Sequence, residues 1–185
     1  MNRELYLCSL LMLTVFAGMI WYLADYVSSN QEALFNNSYN SQQRVLAQEN
    51  TRGTIYAGTG EVLAQTVIAE DGTSVREYPY KNIFAHVVGY TDKGKTGIEE
   101  LENYQLIHSD ISDREKLDHE LAGEKNPGND VYTTLDTSLQ QAASDALGLY
   151  RGAIVVTEVK TGRVLAMVSK PDYDPVSYTH LTLPT

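Results

Sequence analysis

The sequence has one cysteine and no excess of basic residues, and each shortage excludes something. Cys8 alone cannot form an intramolecular disulfide. Bulky Tyr6 and Leu7 beside it argue against lipidation, so we expect a buried thiol. Lysine and arginine total 14 against 24 acidic residues, a formal net charge of −10. This balance argues against a nucleic-acid partner, because binding to phosphate needs concentrated positive charge. The histidines lack metal-ligand spacing, so we expect no metal or other cofactor.

Long apolar runs are also scarce, and the one that stands out is Leu5 to Ala24. It carries no charge and matches the roughly 20 residues needed to cross a hydrocarbon core. We interpret it as an uncleaved membrane anchor; the alternative is a signal peptide cleaved near Val15-Phe16-Ala17. Arg3 before the run, with Asp25 and Glu32 after it, favours a cytoplasmic N-terminus and an extracytoplasmic remainder.

After the anchor, a polar stretch from Ser28 to Asn50 predicts a spacer or a juxtamembrane helix. The pattern then changes to β. A helical pattern follows, and the segment Gly123 to Asn129 is typical of a linker, so we place a domain boundary there. The predicted elements are a hairpin of Thr54–Tyr56 and Glu61–Ala64 about Gly58–Gly60, a turn at Asp71-Gly72, a strand Ser74–Tyr78 ended by Pro79, an ambiguous apolar segment Ile83–Tyr90, and helices Gly97–Leu106 and Arg114–Leu121.

Beyond the linker, the sequence predicts an α+β unit. A helix begins at a capping box formed by Thr137 and Gln140, with Asp136 in support. The continuous run Ala153–Val156 is typical of a strand covered on both faces. A turn at Lys160-Thr161-Gly162 then leads into a second strand, Val164–Val168. The helix carries one apolar stripe at helical spacing, made of Leu139, Ala142, Ala143, Ala146 and Leu147.

Four segments together resemble the class B penicillin-binding proteins, the serine-type D,D-transpeptidases that cross-link peptidoglycan. Each segment alone is weak, but their order over roughly 120 residues makes a chance match improbable. The segments are Arg52-Gly53-Thr54-Ile55 with Gly60–Ala64, Arg76–Tyr80 with His86–Tyr90, Gly97-Ile98-Glu99, and Thr134-Leu135-Asp136 with Leu139-Gln140 followed by Gly152–Pro175.

The resemblance implies an α+β chain with a single N-terminal transmembrane helix, a small β-rich pedestal domain, and the first helix and β-hairpin of a transpeptidase domain. It implies a single-pass protein of the bacterial cell membrane. Two departures stand out: Ala57-Gly58-Thr59-Gly60 replaces the usual Asp-Arg-Asn-Gly, and no family pattern continues after Asp174-Pro175. The expected division is 1–27 cytoplasmic tip and anchor, 28–50 spacer, 51–123 pedestal of dimerisation type, 124–129 linker, 130–175 start of the transpeptidase domain, and 176–185 a non-native tail.

For function, the resemblance implies acyl transfer through a serine, with peptidoglycan stem peptides, β-lactams, membrane lipid and a membrane glycosyltransferase as partners of the full-length protein. No serine in the sequence is followed three residues later by lysine, so the family's S-x-x-K nucleophile motif is missing and we assign no catalytic, cofactor-binding or metal residue. Its other motifs, S-x-N and K-T-G, occur where we expect turns or membrane-proximal chain: Ser28-Ser29-Asn30, Ser38-Tyr39-Asn40, Lys95-Thr96-Gly97 and Lys160-Thr161-Gly162.

Other polar residues have ordinary structural interpretations. We expect His86 to be a packed residue, Glu99-Glu100 to mark a solvated helix face, and Asp172 and Asp174 to lie in a loop. Two hypotheses remain open. The chain is an N-terminal fragment of a membrane-anchored transpeptidase, inactive alone, or it is a non-catalytic membrane-tethered scaffold or interaction module.

Overall fold

The computed structural model describes residues 3–35, 42–69, 73–91 and 94–178. The chain divides into two compact units, residues 1–40 and 41–185. Several sequence predictions fall outside the described residues: the Asp71-Gly72 turn, the motif Ser38-Tyr39-Asn40, and the predicted tail beyond residue 178.

The first unit is built on helix α1, Arg3–Ser29, which is followed by the short α2, Gln31–Phe35. At about 1.5 Å per residue, 27 helical residues extend about 40 Å, enough to cross a hydrocarbon core of about 30 Å. The helix is long and apolar enough to span a membrane, a test that a signal sequence also passes. No residue of α1 is buried within the protein. The thiol of Cys8 is therefore exposed, and the burial predicted for it would have to come from lipid.

The described residues of the second unit form three small sheets. Their strands are β1 Asn50–Thr51, β2 Ile55–Tyr56, β3 Val62–Ile68, β4 Ser74–Glu77, β5 Asn126–Pro127, β6 Val131–Tyr132, β7 Gly152–Thr157 and β8 Val164–Lys170. In the largest sheet, the strand order is β4-β3-β2-β6, with β2–β3 and β3–β4 antiparallel and β2–β6 parallel. The others are a parallel β1–β5 pair and an antiparallel β7–β8 hairpin. The hairpin and the strand predicted between Thr54 and Tyr78 are confirmed.

Helices cover the sheets of the second unit. The helix predicted over Gly97–Leu106 is present but is divided at Glu102. The helix predicted over Arg114–Leu121 is confirmed and extends by one residue at each end. Its start is a capping box between Ser112 and Glu115 that the sequence analysis missed. The helices are α3 Gln42–Glu49, α4 Ala85–Val88 after a 3₁₀ turn Lys81–Ile83, α5 Gly97–Leu101, α6 Asn103–Ile107, α7 Asp113–Ala122, α8 Thr137–Leu147 and α9 Pro175–Tyr178.

One apolar core lies where the four-stranded sheet meets α4 and α6. Ile55 and Leu63 point into it from the strands, and Val88 and Leu106 meet them from the helices. Leu135, just before α8, joins the same core. These side chains are essentially fully buried, so the core is the main apolar stabilisation of the second unit.

The segment predicted as a linker, 124–129, is built into this unit. Its strand β5 pairs with β1, and the Gly128 N–H donates to the Thr51 carbonyl at 2.7 Å. A Cβ at Gly128 would lie 2.1 Å from the Leu106 carbonyl oxygen, and one at Gly53 would lie 2.0 Å from the Asn129 carbonyl oxygen. Both glycines are therefore required by close backbone approach. The turn-rich composition of the segment reflects this packing.

Two predictions about helix α8 are wrong. Its N-cap is Asp136, whose side chain accepts from the Leu139 N–H at 2.9 Å, and Thr137 is already helical. The buried face consists of Gln140, Ala143 and Ser144, while Leu139 is 38% exposed. The apolar stripe predicted from spacing is thus rotated partly into solvent, because the buried amide of Gln140 bonds to the backbone of β8.

The hairpin that follows α8 is not covered on both faces. Val155 is 54% exposed, and side chains along β7 alternate between exposed and half-buried. Within the described residues β7 pairs with β8 alone, and α8 packs against one face. The predicted turn is confirmed at Gly162, whose φ of 74° is left-handed, and the Glu158–Arg163 ion pair at 3.0 Å closes the loop.

Candidate functional site

A buried ionic network lies between the four-stranded sheet and α5. The side chain of Glu99 has no exposed surface. Arg52 Nε donates to its Oε2 at 2.6 Å, and Arg76 Nε donates to its Oε1 at 2.8 Å. Glu99 was predicted to mark a solvated helix face, and that prediction is wrong. The guanidinium groups of Arg52, just after β1, and Arg76, in β4, compensate its charge and allow its burial.

Neighbouring polar groups fix the two arginines in place. Arg52 Nη1 donates to Asn103 Oδ1 at 2.8 Å, and its Nη2 donates to the Glu99 carbonyl at 2.6 Å. Arg76 Nη1 donates to the Gly53 carbonyl at 2.7 Å and to Thr66 Oγ1 at 3.0 Å. The network therefore ties the start of β2, the strands β3 and β4, and both α5 and α6 into one assembly.

Burial dominates the electrostatics of this network. Desolvation lowers the pKa of Arg52, and Glu99 partly restores it, whereas Arg76 lowers it further. Burial also raises the pKa of Tyr78, with a second contribution from Glu99, whose Oε1 accepts from the tyrosine hydroxyl at 3.4 Å. For Lys95 the pKa is lowered, first by burial and then by the charge of Arg52. The site thus holds more positive charge than Glu99 balances.

A second set of polar contacts joins the sheet-and-helix region to the chain that follows β8. Asn82 Nδ2 donates to Asp172 Oδ2 at 2.8 Å, and Tyr173 donates from its hydroxyl to the Ala85 carbonyl at 2.7 Å. The His86 ring is exposed, so its predicted packing into an apolar segment is wrong. Its Nε2 lies 2.8 Å from the Pro171 carbonyl, and the ring meets Tyr173 edge-on at 5.0 Å.

Gln140 forms a third connection. Its Nε2 donates to the carbonyls of Ile83 and Met167, at 2.9 and 2.8 Å, and its Oε1 accepts from the Met167 N–H at 2.8 Å. One fully buried side chain thereby links the 3₁₀ turn, α8 and β8. Gln140 belongs to the Leu139-Gln140 pair that resembles the family, but the capping role predicted for it is wrong.

The sequences that match S-x-N and K-T-G occupy ordinary structural positions. Lys95-Thr96 precedes α5, Lys160-Thr161-Gly162 lies in the hairpin loop, and Ser28-Ser29-Asn30 lies at the end of α1. In the part of the chain that the structure describes, no three His, Cys, Asp or Glu side chains are grouped so as to hold a metal. That no catalytic residue lies in the chain stays a prediction.

The four resembling segments of the sequence converge in space. Arg52, Arg76 and Glu99 come from three of them and meet in the ionic network, while the fourth supplies Gln140. The family model described as the penicillin binding protein A dimerisation domain matches residues 52–131. Its bounds enclose every charged member of the network.

Comparison with curated proteins and solved structures agrees with this match. The chain is 40% identical over 146 residues to the peptidoglycan D,D-transpeptidase PbpA of Mycolicibacterium smegmatis, covering 72% of this chain and 29% of that protein. It is 34% identical over 137 residues to the peptidoglycan D,D-transpeptidase MrdA of Escherichia coli, covering 56% of this chain and 21% of MrdA. A structure of penicillin-binding protein A from M. tuberculosis, an imipenem acyl-enzyme complex, superposes with a TM-score of 0.60 at 35% identity, over 69% of this chain and 31% of that one. The chain belongs to the class B penicillin-binding proteins.

A D,D-transpeptidase domain structure from Eggerthella lenta superposes similarly, with a TM-score of 0.59 at 40% identity over 71% of this chain and 28% of that one. The chain thus spans about three tenths of the length of PbpA, its curated relative. The ionic network lies within the residues that match the dimerisation-domain model. Gln140 and Tyr173 lie beyond that match and contact residues inside it.

Proposed function

We propose that the chain forms the membrane anchor and pedestal of a peptidoglycan D,D-transpeptidase, together with the first helix and hairpin of its transpeptidase domain. The observation that carries this proposal is the Arg52–Glu99–Arg76 network, closed by three family-signature segments inside the matched dimerisation domain. We keep the division into a pedestal at 51–123, a junction at 124–129 and a transpeptidase start at 130–175.

The pedestal's role in this proposal is mechanical. A buried ion pair is strongly directional, and losing one partner leaves an uncompensated charge that costs about 3–5 kcal/mol. The network therefore holds the sheet and α5 in one arrangement. The contacts of Gln140, Tyr173 and Asn82 then transmit that arrangement to α8 and the β7–β8 hairpin. A rigid mount of this kind would hold a catalytic domain in one orientation relative to the pedestal.

The chemistry that we propose for the whole protein is serine acyl transfer from a peptidoglycan stem peptide to an amine, with β-lactams as inhibitors. An activated serine, a general base and an oxyanion hole are needed for such a reaction. None of the serines in these 185 residues carries a lysine three positions on. We therefore propose that this chain by itself does not react, and that α1 supplies the anchor with its N-terminus in the cytoplasm. A membrane glycosyltransferase is the partner that we propose for the complete protein.

A chimaera tests the proposal. Residues 1–175 replace the corresponding part of M. smegmatis PbpA, and membranes are treated with a fluorescent penicillin. We expect the chimaera to be labelled and the 185-residue chain to remain unlabelled. In the chimaera, Glu99→Gln should reduce labelling severely, whereas the adjacent exposed Glu100→Gln should leave it unchanged. Labelling of the 185-residue chain, or equal effects of the two substitutions, would contradict the proposal.

The alternative is a non-catalytic, membrane-tethered scaffold of the cell-wall machinery. The lack of S-x-x-K in these 185 residues is consistent with both functions. Reading the parent DNA past the codon for Pro175 separates the two functions. An in-frame S-x-x-K within some tens of codons supports the transpeptidase, and a stop codon supports the scaffold.

A further inference from the structure

A cavity of 530 Å³ lies beside the ionic network, bordered by α3, β1, β4 and the chain around Pro175. Four basic residues line it, Arg52, Arg76, Lys95 and Lys125. No aspartate or glutamate is found among the described residues of its wall. In a chain whose net charge is −10, this local excess of positive charge is unusual. The cavity is therefore electrostatically suited to an anion.

The charge balance of the ionic network beside the cavity supports this conclusion. Within the described residues, Glu99 is the carboxylate that pairs with the two arginines, so one guanidinium charge is left over there. Arg76 Nη2 is buried and has no hydrogen-bond partner in the described part of the chain, although the Arg76 side chain is 9% exposed. A buried donor without an acceptor is unfavourable, so an acceptor at this nitrogen would be stabilising. Lys95 Nζ donates to Gln43 Oε1 at 3.1 Å and has donors left for a ligand.

The remaining wall indicates the kind of anion. Ala47, Ile107 and Pro175 contribute apolar surface, while Thr51 and Thr91 contribute hydrogen-bonding groups. A volume of this size lies in the range of about 300–1,000 Å³ that is typical of organic ligands and is much larger than a single inorganic ion needs. Guanidinium groups match planar carboxylates especially well.

We propose that this cavity binds a small organic carboxylate about the size of a short peptide. Its carboxylate accepts from Arg76 and Lys95, and its body lies against the apolar wall. Lys125, which is exposed, contributes long-range attraction. This proposal does not depend on the function proposed above.

The test uses the full chain in nanodiscs and two matched probes, acetyl-alanyl-alanine with a free carboxylate and the same dipeptide as its C-terminal amide. Binding is measured by calorimetry, and the Nε resonances of Arg52 and Arg76 are followed by NMR. We expect the acid to bind and shift these resonances, and the amide to bind at least roughly tenfold more weakly, the loss of one charge-assisted hydrogen bond.

Substitutions locate the site without disturbing the buried network. Lys95→Gln and Lys125→Gln should each weaken binding of the acid, Lys95→Gln by the larger factor, whereas Lys160→Gln in the hairpin loop should not change it. Equal binding of acid and amide, equal effects of Lys125→Gln and Lys160→Gln, or no shift of the arginine resonances would overturn the proposal. So would tighter binding of inorganic phosphate than of the acid, because it would exclude an organic carboxylate as the preferred ligand.

Discussion

Residues 51–123, which we propose as the pedestal, and the β7–β8 hairpin are stabilised in opposite ways. In the pedestal, Glu99 is buried and its two arginines are partly buried, beside a core in which Ile55 and Leu106 have no exposed surface. In the hairpin, Val155 is more than half exposed although its strand is rich in β-branched residues. A charged side chain can be buried where oppositely charged partners compensate it. An apolar strand stays exposed where no other element packs against its second face.

The largest expected effect is a loss of stability in the pedestal. Glu99→Gln should lower the free energy of unfolding by about 3–5 kcal/mol, because two buried guanidinium groups lose their compensating charge. Urea denaturation of the full chain in detergent, followed by tyrosine fluorescence, measures the change.

The control is Glu100→Gln, at the exposed neighbouring position. It should stay within about 0.5 kcal/mol of the original chain. If both substitutions cost the same, the network does not stabilise the pedestal.

Substitutions at two glycines compare the close packing beside β1 and α6 with the looser packing of the hairpin. Gly128→Ala should destabilise the protein by about 1–3 kcal/mol, because the new Cβ would meet the backbone oxygens of Leu106 and Thr51 at 2.1 and 2.8 Å. Gly152→Ala at the start of β7 should be nearly neutral, since its Cβ would meet Leu147 Cδ1 at 3.6 Å. Thermal unfolding of the two variants, side by side, provides the measurement. A neutral Gly128→Ala would show that the β1–β5 junction is looser than the structure indicates.

Hydrogen exchange should resolve the two regions directly. Amides of β7 are expected to exchange faster than those of Leu63 and Ala64 in β3, because the hairpin has one covered face and opens more readily. Mass spectrometry of peptides from the full chain in nanodiscs gives both rates at once. Strong protection of Gly152–Thr157, equal to that of β3, would show that the hairpin does not open more readily than the pedestal.

The smallest effect concerns the cap of α8. Hydrogen bonds from Ser138 and from the Leu139 N–H lower the pKa of Asp136. A carboxyl whose pKa is depressed by folding contributes stability above its unfolded pKa, and this contribution is lost as the pH falls through its folded pKa. Stability should therefore decline slightly more steeply below about pH 4 in the original chain than in Asp136→Asn, which retains a cap but no charge. Parallel slopes in thermal melts from pH 6 to pH 3 would show that the charge is irrelevant.

Sequence reasoning succeeded where local patterns decide structure. The hairpin around Gly58–Gly60, the helix at Arg114–Leu121 and the left-handed Gly162 follow from turn chemistry and spacing, and the structure contains all three. The same reasoning misjudged Glu99 and the exposed ring of His86, because their partners are more than 20 residues away in the chain. Spacing also favoured the wrong face of α8, since the contacts of Gln140 outweigh a weak apolar stripe.

By itself, the sequence determined the apolar length of α1, the positions of the turns and the family signatures, all of which depend on residues close together in the chain. The tertiary structure alone decided that Arg52, Arg76 and Glu99 would share one buried site. It also decided that Gly128 would lie against the backbone of β1 and α6. Charge compensation and close packing depend on which distant segments meet, and local propensity carries no information about that.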